Sequence, residues 1–197
     1  MSVRELVQIG NPVLRERARE LTREELAAPE TRELIDDLVE TMRAAGGAGL
    51  AAPQVGIPLR IFVVEVRDNP RYPYKPPIAL RVLVNPVVRP LGERTFPSYE
   101  GCLSVPNLRG LLERHAEIEV AYLDRDGAEV VERVTGLSAG TFQHELDHLD
   151  GVLFLDRVAD ARTLATWEEF ERFHEEEWLD RVRTEIERAS IERLPTG

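Results

Sequence analysis

Two histidines bracket a glutamate in the stretch FQHELDHLDG, residues 142–151. Residues four positions apart lie on one face of a helix, so His144 and His148 can present two imidazoles to a single metal ion. Glu145 lies one step round the helix, within reach of a water on that metal, where a carboxylate can act as general base. Similar letters also occur in ordinary surface helices. The motif therefore predicts a metal site only if a third ligand exists.

The sequence offers three sources for this ligand, because a catalytic metal needs three protein ligands and an open position for water. The metzincin pattern H-E-x-x-H-x-x-G-x-x-H ends in a histidine, but this chain has Phe154 there, which excludes that pattern. A thermolysin-like site takes a glutamate from a later helix, where Glu168 and Glu171 are candidates. The third source is Cys102, the only thiol, and a thiolate beside two imidazoles suits Fe²⁺, Zn²⁺, Co²⁺ or Ni²⁺.

The local sequence predicts how these residues are held. Ser138 is a candidate N-cap for a helix over about 139–149, and Gly151 is its C-terminal stop. A lone cysteine is most often a buried packing residue. Cys102, however, directly follows Gly101 and has prolines on both sides, which indicates a loop or a sheet edge.

The remaining pattern predicts an α+β protein. Residues 31–45 carry one apolar stripe at helical spacing and end at two glycines. Residues 59–66 and 81–88 are predicted strands, the second interrupted by Pro86 at a bulge or an edge. Residues 113–123 alternate near their end and lead through a DRDG turn into a partner strand. Strands followed by a helix that packs on them, with antiparallel hairpins, are typical of the α+β class.

The C-terminal part of the chain is predicted to be one long amphipathic helix over 163–190. Its surface is predominantly acidic. Its apolar stripe consists of Leu164, Trp167, Phe170, His174, Trp178, Val182 and Ile186.

Composition limits the possible functions. With 197 residues, a net charge of −11 and a pI near 5.0, the chain fits one soluble globular domain and not a general nucleic-acid binder. No apolar run approaches the length of a membrane span, and the first residues carry charges where a secretory signal would be apolar. We therefore expect a cytoplasmic protein. A single cysteine allows no internal disulfide.

Three stretches, in order, resemble the motifs of peptide deformylases: GAGLAAPQ (47–54), EGCLS (100–104) and QHELDH (143–148). The resemblance covers about residues 5–158. It implies an α+β fold in which antiparallel sheets pack around a central metal-binding helix, with an N-terminal helix and a long C-terminal helix. It further implies a catalytic domain over 1–160, with 161–197 as an acidic helical extension of the same domain.

The resemblance also implies the site. One divalent metal would be held by Cys102, His144 and His148, with Fe²⁺ expected in the cell and Zn²⁺, Ni²⁺ or Co²⁺ in a purified protein. The other roles implied are general acid and base for Glu145, binding of the formyl oxygen by Gln54 and the backbone N–H of Leu103, and substrate binding by Gly49 and Arg109.

The implied reaction is hydrolysis of the N-formyl group from the formylmethionine of newly synthesised polypeptides, with release of formate. The expected partners are N-formylmethionyl peptides on nascent chains at the ribosome, without nucleic-acid specificity or a membrane, and a monomer is favoured. A gluzincin-like endopeptidase and a non-catalytic protein with a structural metal are the alternatives from other classes.

Overall fold

The computed structural model describes residues 2–67 and 71–195. The described residues form six α-helices and eight β-strands. The helices are α1 (Arg23–Ala27), α2 (Pro29–Ala44), α3 (Gly136–Leu149), α4 (Phe154–Arg157), α5 (Trp167–Phe173) and α6 (Glu175–Glu187). The strands are β1 (Gly49–Ala51), β2 (Ile61–Val66), β3 (Ile78–Pro90), β4 (Thr95–Cys102), β5 (Val105–His115), β6 (Glu117–Leu123), β7 (Glu129–Thr135) and β8 (Ser190–Arg193).

Two antiparallel sheets confirm the predicted α+β class. Six strands pair in the order β1-β2-β3-β6-β7-β8, and β4 and β5 form a separate hairpin. Helix α3 contacts strands of both sheets. Its Phe142 meets Phe62 of β2 edge to face, with ring centroids 6.2 Å apart. The helix that carries the histidines is therefore wedged between the two sheets.

Several predicted elements are confirmed. Helix α2 matches the predicted 31–45 helix, and the register of β3 against β6 shifts between Val84 and Val87, which is the bulge predicted at Pro86. The hairpin of β6 and β7 follows the predicted turn. Most of the β4–β5 hairpin was not predicted as strand. Cys102 is its last β4 residue, which agrees with the expected position at an edge.

The predicted start of the histidine helix is wrong. Helix α3 begins at Gly136, and Thr135 occupies its N-cap position, so Ser138 lies buried inside the first turn. Gly136 has a left-handed backbone with φ of 61°, and a Cβ there would lie 2.1 Å from the carbonyl oxygen of Glu185. This glycine turns the chain directly from β7 into the helix, so the last residue of the strand also occupies the N-cap position.

The prediction of one long C-terminal helix over 163–190 is also wrong. Helices α5 and α6 are separated at His174, where φ is −126° and ψ is −24°, and β8 follows as an edge strand on β7. Thr166 caps α5, and three consecutive glutamates at 175–177 favour a new helix N-terminus through the helix dipole. His174 is consequently exposed, whereas Phe170 and Trp178 are buried.

No helix in the described part of the chain combines the length and the apolar composition that crossing a membrane requires.

A buried ion-pair network joins the β4–β5 hairpin to α3. Arg114 of β5 is 2% exposed and donates to both carboxylate oxygens of Glu100 at 2.8 Å. Its third nitrogen donates to Asp147 of α3 at 2.7 Å, and Arg157 also pairs with that carboxylate. Buried charges are costly unless they are paired, so the network fixes the distance between hairpin and helix.

The network predicts a large stability loss for Arg114→Met. The substitution leaves two carboxylates without their buried partner, which costs about 3–5 kcal/mol in comparable cases. Urea unfolding measures this loss. The matched control is Arg133→Met, which breaks the part-exposed pair with Glu117 and should cost at most about 1 kcal/mol. Equal effects of the two substitutions would contradict the structural importance of the network.

Candidate metal centre

The structure brings together the cysteine and the two histidines that the sequence singled out. The two imidazoles lie on one face of α3 with ring centroids 5.1 Å apart. Cys102 reaches them from the end of β4, with its Sγ 3.2 Å from Nε2 of His148. The three prospective ligand atoms all lie within 4.8 Å of one another. One ion can therefore contact all three.

Glu100 orients one of these imidazoles. Nδ1 of His144 donates to Oε2 of Glu100 at 2.8 Å, which leaves the other ring nitrogen for a metal. Burial by itself would raise the pKa of Glu100, but the charge and hydrogen bonds of Arg114, with the hydrogen bond from His144, bring it well below its usual value. This carboxylate was not among the residues predicted from the sequence to act in the site, although it is the first residue of the EGCLS stretch.

The surroundings of Cys102 favour a thiolate. Burial opposes ionisation, but the neighbouring His148 and His144 hold the pKa of the thiol well below its usual value. The backbone N–H of Ser104 and the side-chain amide of Gln54 also donate to Sγ, at 3.4 and 3.5 Å. A thiolate is the form that binds metal, so the site holds its sulfur ready as a ligand.

Gln54 is fixed in position by its own hydrogen bonds. Its Oε1 accepts from the backbone N–H of Ala51 at 2.9 Å, and its Nε2 donates to Oγ of Ser104 at 3.3 Å. The amide N–H₂ group thereby faces the sulfur side of the metal centre. Leu103 follows in the turn between β4 and β5 and lines the same cavity.

Glu145 packs against the backbone of β1. A Cβ at Gly49 would lie 2.4 Å from its Oε1, so the carboxylate occupies space that only a glycine leaves free. Burial raises the pKa of Glu145. Its Oε2 has no hydrogen-bond partner among the described residues. The carboxylate is thus buried, incompletely bonded and placed beside the prospective metal.

Arg109 lies in the wall of the cavity. Its Nη2 donates to the Tyr74 hydroxyl at 3.0 Å and to the backbone carbonyl of Tyr99. The guanidinium stacks on two rings of α5, 4.3 Å from the centroid of Trp167 and 4.0 Å from that of Phe170. Its Nε and Nη1 have no partner within the described part of the chain, so they remain available as donors.

The thermolysin-like alternative is wrong. Glu168 and Glu171 are exposed on α5 and do not belong to the ligand group. Phe154 is buried among apolar residues of α4 and its neighbours. Among the described residues, the group contains no fourth ligand, whether histidine, cysteine or carboxylate. This disfavours a structural site, which needs a closed shell of four ligands.

The donor set fits one divalent transition metal. Sulfur and imidazole nitrogen are the ligands of Fe²⁺, Zn²⁺ and similar ions, and the site supplies one sulfur and two nitrogens. The carboxylate of Glu100 behind His144 is the usual support of a ligand histidine. Three ligands leave a coordination position open for water, as in catalytic sites.

Comparison with known proteins agrees with this geometry. The family model described as polypeptide deformylase matches residues 3–163. The chain belongs to the polypeptide deformylase family. It is 43% identical over 166 residues to peptide deformylase 2 of Nostoc sp., covering 84% of this chain and 92% of that protein. It is 40% identical to the peptide deformylase of Leptospira biflexa, covering 82% and 91%.

Solved structures of the family share the fold. A peptide deformylase of Acinetobacter baumannii with bound Met-Ala-Ser is 38% identical, with a TM-score of 0.77 over 80% of this chain and 100% of that one. The enzyme of Thermotoga maritima is 36% identical, with a TM-score of 0.72 over 81% and 100%. The reaction of the deformylase family is metal-dependent hydrolysis of the N-formyl group of formylmethionyl peptides. This chain is a hydrolase of that family.

Lys75, the only lysine of the chain, lines the same cavity as the metal centre. Its Nζ donates to Oγ1 of Thr141 at 3.0 Å and lies 4.9 Å from the ring centroid of Tyr72. Burial lowers the pKa of Lys75 to about 8. The folded protein therefore binds fewer protons than the unfolded chain between pH 8 and 10.5, the ordinary value for lysine.

The shift predicts a pH-dependent effect of Lys75→Met. A basic group whose pKa is lowered by folding destabilises the fold below its folded pKa, and this cost is relieved as pH rises. The difference in unfolding free energy, wild type minus variant, should increase from pH 8 to pH 10.5. Urea unfolding across that range measures the difference. A constant difference would contradict the burial of the ammonium group.

Proposed function

We propose that Cys102, His144 and His148 hold one divalent metal, Fe²⁺ in the cell, for removal of the N-formyl group from formylmethionyl peptides. Zn²⁺, Ni²⁺ or Co²⁺ can replace it in purified protein. The observation that carries the proposal is the largely buried group of one sulfur and two nitrogens, whose prospective ligand atoms lie within 4.8 Å of one another. When bound, such a metal lowers the pKa of water and polarises a carbonyl oxygen.

Glu145 is proposed as the general acid and base. Burial raises the pKa of Glu145, which makes this carboxylate a better proton acceptor than an ordinary glutamate. It takes a proton from the attacking water and delivers it to the leaving amine, so that formate and a free α-amine result. The incompletely bonded carboxylate beside Gly49 supports this role, because its oxygen is available to a substrate.

The formyl oxygen is proposed to bind two fixed donors, the side-chain amide of Gln54 and the backbone N–H of Leu103. Negative charge develops on this oxygen as the carbonyl carbon becomes tetrahedral. A donor that is already oriented stabilises that charge by about 2.7–4 kcal/mol in comparable sites. The hydrogen bond from Ala51 to Gln54 supports the role, because it fixes the orientation of the amide.

The peptide backbone is proposed to add as a strand to β1, beside Gly49. Strand β1 is the edge of the six-stranded sheet, and edges of this kind bind extended peptides through backbone hydrogen bonds. Two nitrogens of Arg109, Nε and Nη1, have no partner among the described residues, and Arg109 is proposed as a further substrate donor. The Met-Ala-Ser bound to the A. baumannii relative supports a peptide substrate.

The cellular setting follows from this substrate. Formylated N-termini belong to nascent chains at the ribosome, so we propose that the enzyme acts in the cytoplasm. We further propose that it acts as a monomer. We also treat residues 1–160 as the catalytic domain and 161–197 as an extension of the same domain. The backbone hydrogen bonds between Arg109 and Ala165, at 2.8 and 3.0 Å, support that continuity.

Two substitutions separate metal binding from proton transfer. Glu145→Gln should keep the bound metal and lose at least about 100-fold in turnover, the lower end of what a positioned acid or base contributes. Cys102→Ser should lose both metal and activity. The measurements are metal content of anaerobically prepared protein and formate release from formyl-Met-Ala-Ser.

The exposed Glu168→Gln is the matched control and should behave like wild type. Full activity of Glu145→Gln would contradict its role as acid and base. Cleavage inside the peptide without release of formate would contradict the proposed reaction.

A further inference from the structure

The cavity that contains the metal centre is small. Its volume is about 50 Å³, whereas pockets that bind small molecules measure about 300–1,000 Å³. Space of this size holds a few waters or a short unbranched side chain, because one water needs about 10–15 Å³ on this measure. The residues that close the cavity therefore restrict what can be attached to the formyl group.

Two aromatic side chains from distant parts of the chain line the cavity together with the metal centre. Tyr74 and Trp178 both line it, and their rings meet edge to face with centroids 5.1 Å apart. Trp178 is 3% exposed, and its Nε1 donates to the carbonyl oxygen of Pro97 at 2.9 Å. The hydroxyl of Tyr74 accepts from Arg109 at 3.0 Å. Both rings are therefore held by hydrogen bonds as well as by packing.

Three of the residues that line the cavity, Ala48, Ser98 and Gly140, have a small side chain or none. Gly140 and Ser98 adjoin each other, because a Cβ at Gly140 would lie 3.7 Å from Oγ of Ser98. The large rings of Tyr74 and Trp178 line the same cavity and therefore limit the space that these small residues leave.

The first side chain of a substrate must enter this cavity. The formyl carbon is joined through one nitrogen to the α-carbon of the first residue, so the β-carbon of that side chain is only three bonds from the reacting carbon. A peptide that adds to β1 with its formyl group at the metal centre therefore directs this side chain into the space that the aromatic pair lines.

Trp178 also lies outside the segment of this chain that the family model matches. The family model ends at residue 163, and Trp178 is on α6. The segment that supplies it is anchored at the site by the two hydrogen bonds between Ala165 and Arg109. The C-terminal helices are therefore part of the cavity wall as well as of the fold.

We propose that Trp178, together with Tyr74, determines specificity by limiting the size of the first side chain of the formylated substrate. The inference rests on the proposed function, because it takes the metal centre as the place where the formyl group is hydrolysed. The aromatic pair admits a small or flexible unbranched side chain and excludes a bulky ring. Removal of either aromatic side chain should therefore extend the range of substrates to larger first residues.

The test compares two substrates on the same enzyme preparation. Formate release from formyl-Phe-Ala-Ser and from formyl-Met-Ala-Ser is measured with Ni²⁺-loaded protein. The kcat/KM for the phenylalanine substrate is then divided by the kcat/KM for the methionine substrate. The ratio cancels any loss of folded protein. In Trp178→Ala and in Tyr74→Ala it should rise at least about tenfold, since single methylenes in apolar pockets already change such ratios by about 10–200-fold.

Two further variants provide controls. Phe173→Ala removes an aromatic side chain of α5 that is 59% exposed, and it should leave the ratio unchanged. Trp178→Phe keeps a ring but loses the bond to Pro97, and it should raise the ratio less than Trp178→Ala does. If Trp178→Ala does not fold, Tyr74→Ala decides, because Tyr74 lies in an irregular segment and is only half-buried.

An unchanged or lower ratio in Tyr74→Ala would overturn the inference. Binding of the products Phe-Ala-Ser and Met-Ala-Ser, measured by calorimetry, tests the aromatic pair independently of catalysis. A wild-type protein that releases no formate would contradict the proposed function. A calorimetric preference that shifts towards Phe-Ala-Ser in the variants would still support the size limit.

Discussion

The carboxylate of Glu100 connects the metal centre to the rest of the fold through its hydrogen bonds. It accepts two hydrogen bonds from Arg114 on one side and one from Nδ1 of His144 on the other. A buried carboxylate without such partners would be very costly, so this arrangement allows little displacement of any of the three. Because Cys102 lies two residues further along the same strand, the position of Glu100 also determines where the sulfur stands relative to His148.

This connection explains why a site can form between two separate sheets. The β4–β5 hairpin shares no strand pairing with the six-stranded sheet. It is joined to α3 instead by the ion pairs of Arg114 with Glu100 and Asp147. Helix α3 in turn is held between the sheets by apolar contacts. The sulfur and the imidazoles therefore come from two units whose relative position depends on buried charges.

The sequence predicted which side chains come together better than it predicted the elements that carry them. Helical spacing placed His144 and His148 on one face, the search for a third ligand left Glu168, Glu171 and Cys102 as candidates, and the resemblance to deformylases favoured Cys102. The role of Glu100 could not be predicted, since an acidic residue in a short motif gives no sign of which histidine it contacts. The break at His174 was missed because apolar residues continue at helical spacing through it, while the glutamates at 175–177 allow a second helix to begin.

The C-terminal helices show that residue spacing alone does not predict which side chains line a site. Their aromatic residues are spaced like an ordinary core stripe, and Phe170 is indeed buried. The spacing does not reveal that Trp178 meets Tyr74 in the wall of the cavity that contains the metal centre, since these residues are far apart in the chain. Such long-range contacts depend on the tertiary fold, which also determines the depth of the cavity.

The most direct test of this account is the affinity of the metal-free protein for Co²⁺ in wild type and in Glu100→Gln. Co²⁺ reports sulfur ligation through a thiolate charge-transfer band, and Glu113→Gln on the same hairpin is the exposed control. Glu100→Gln should bind Co²⁺ about 10–100-fold more weakly, as for other carboxylates that support a ligand histidine, with the band retained and the control unchanged. An affinity for Co²⁺ equal to that of wild type would contradict the central role of Glu100.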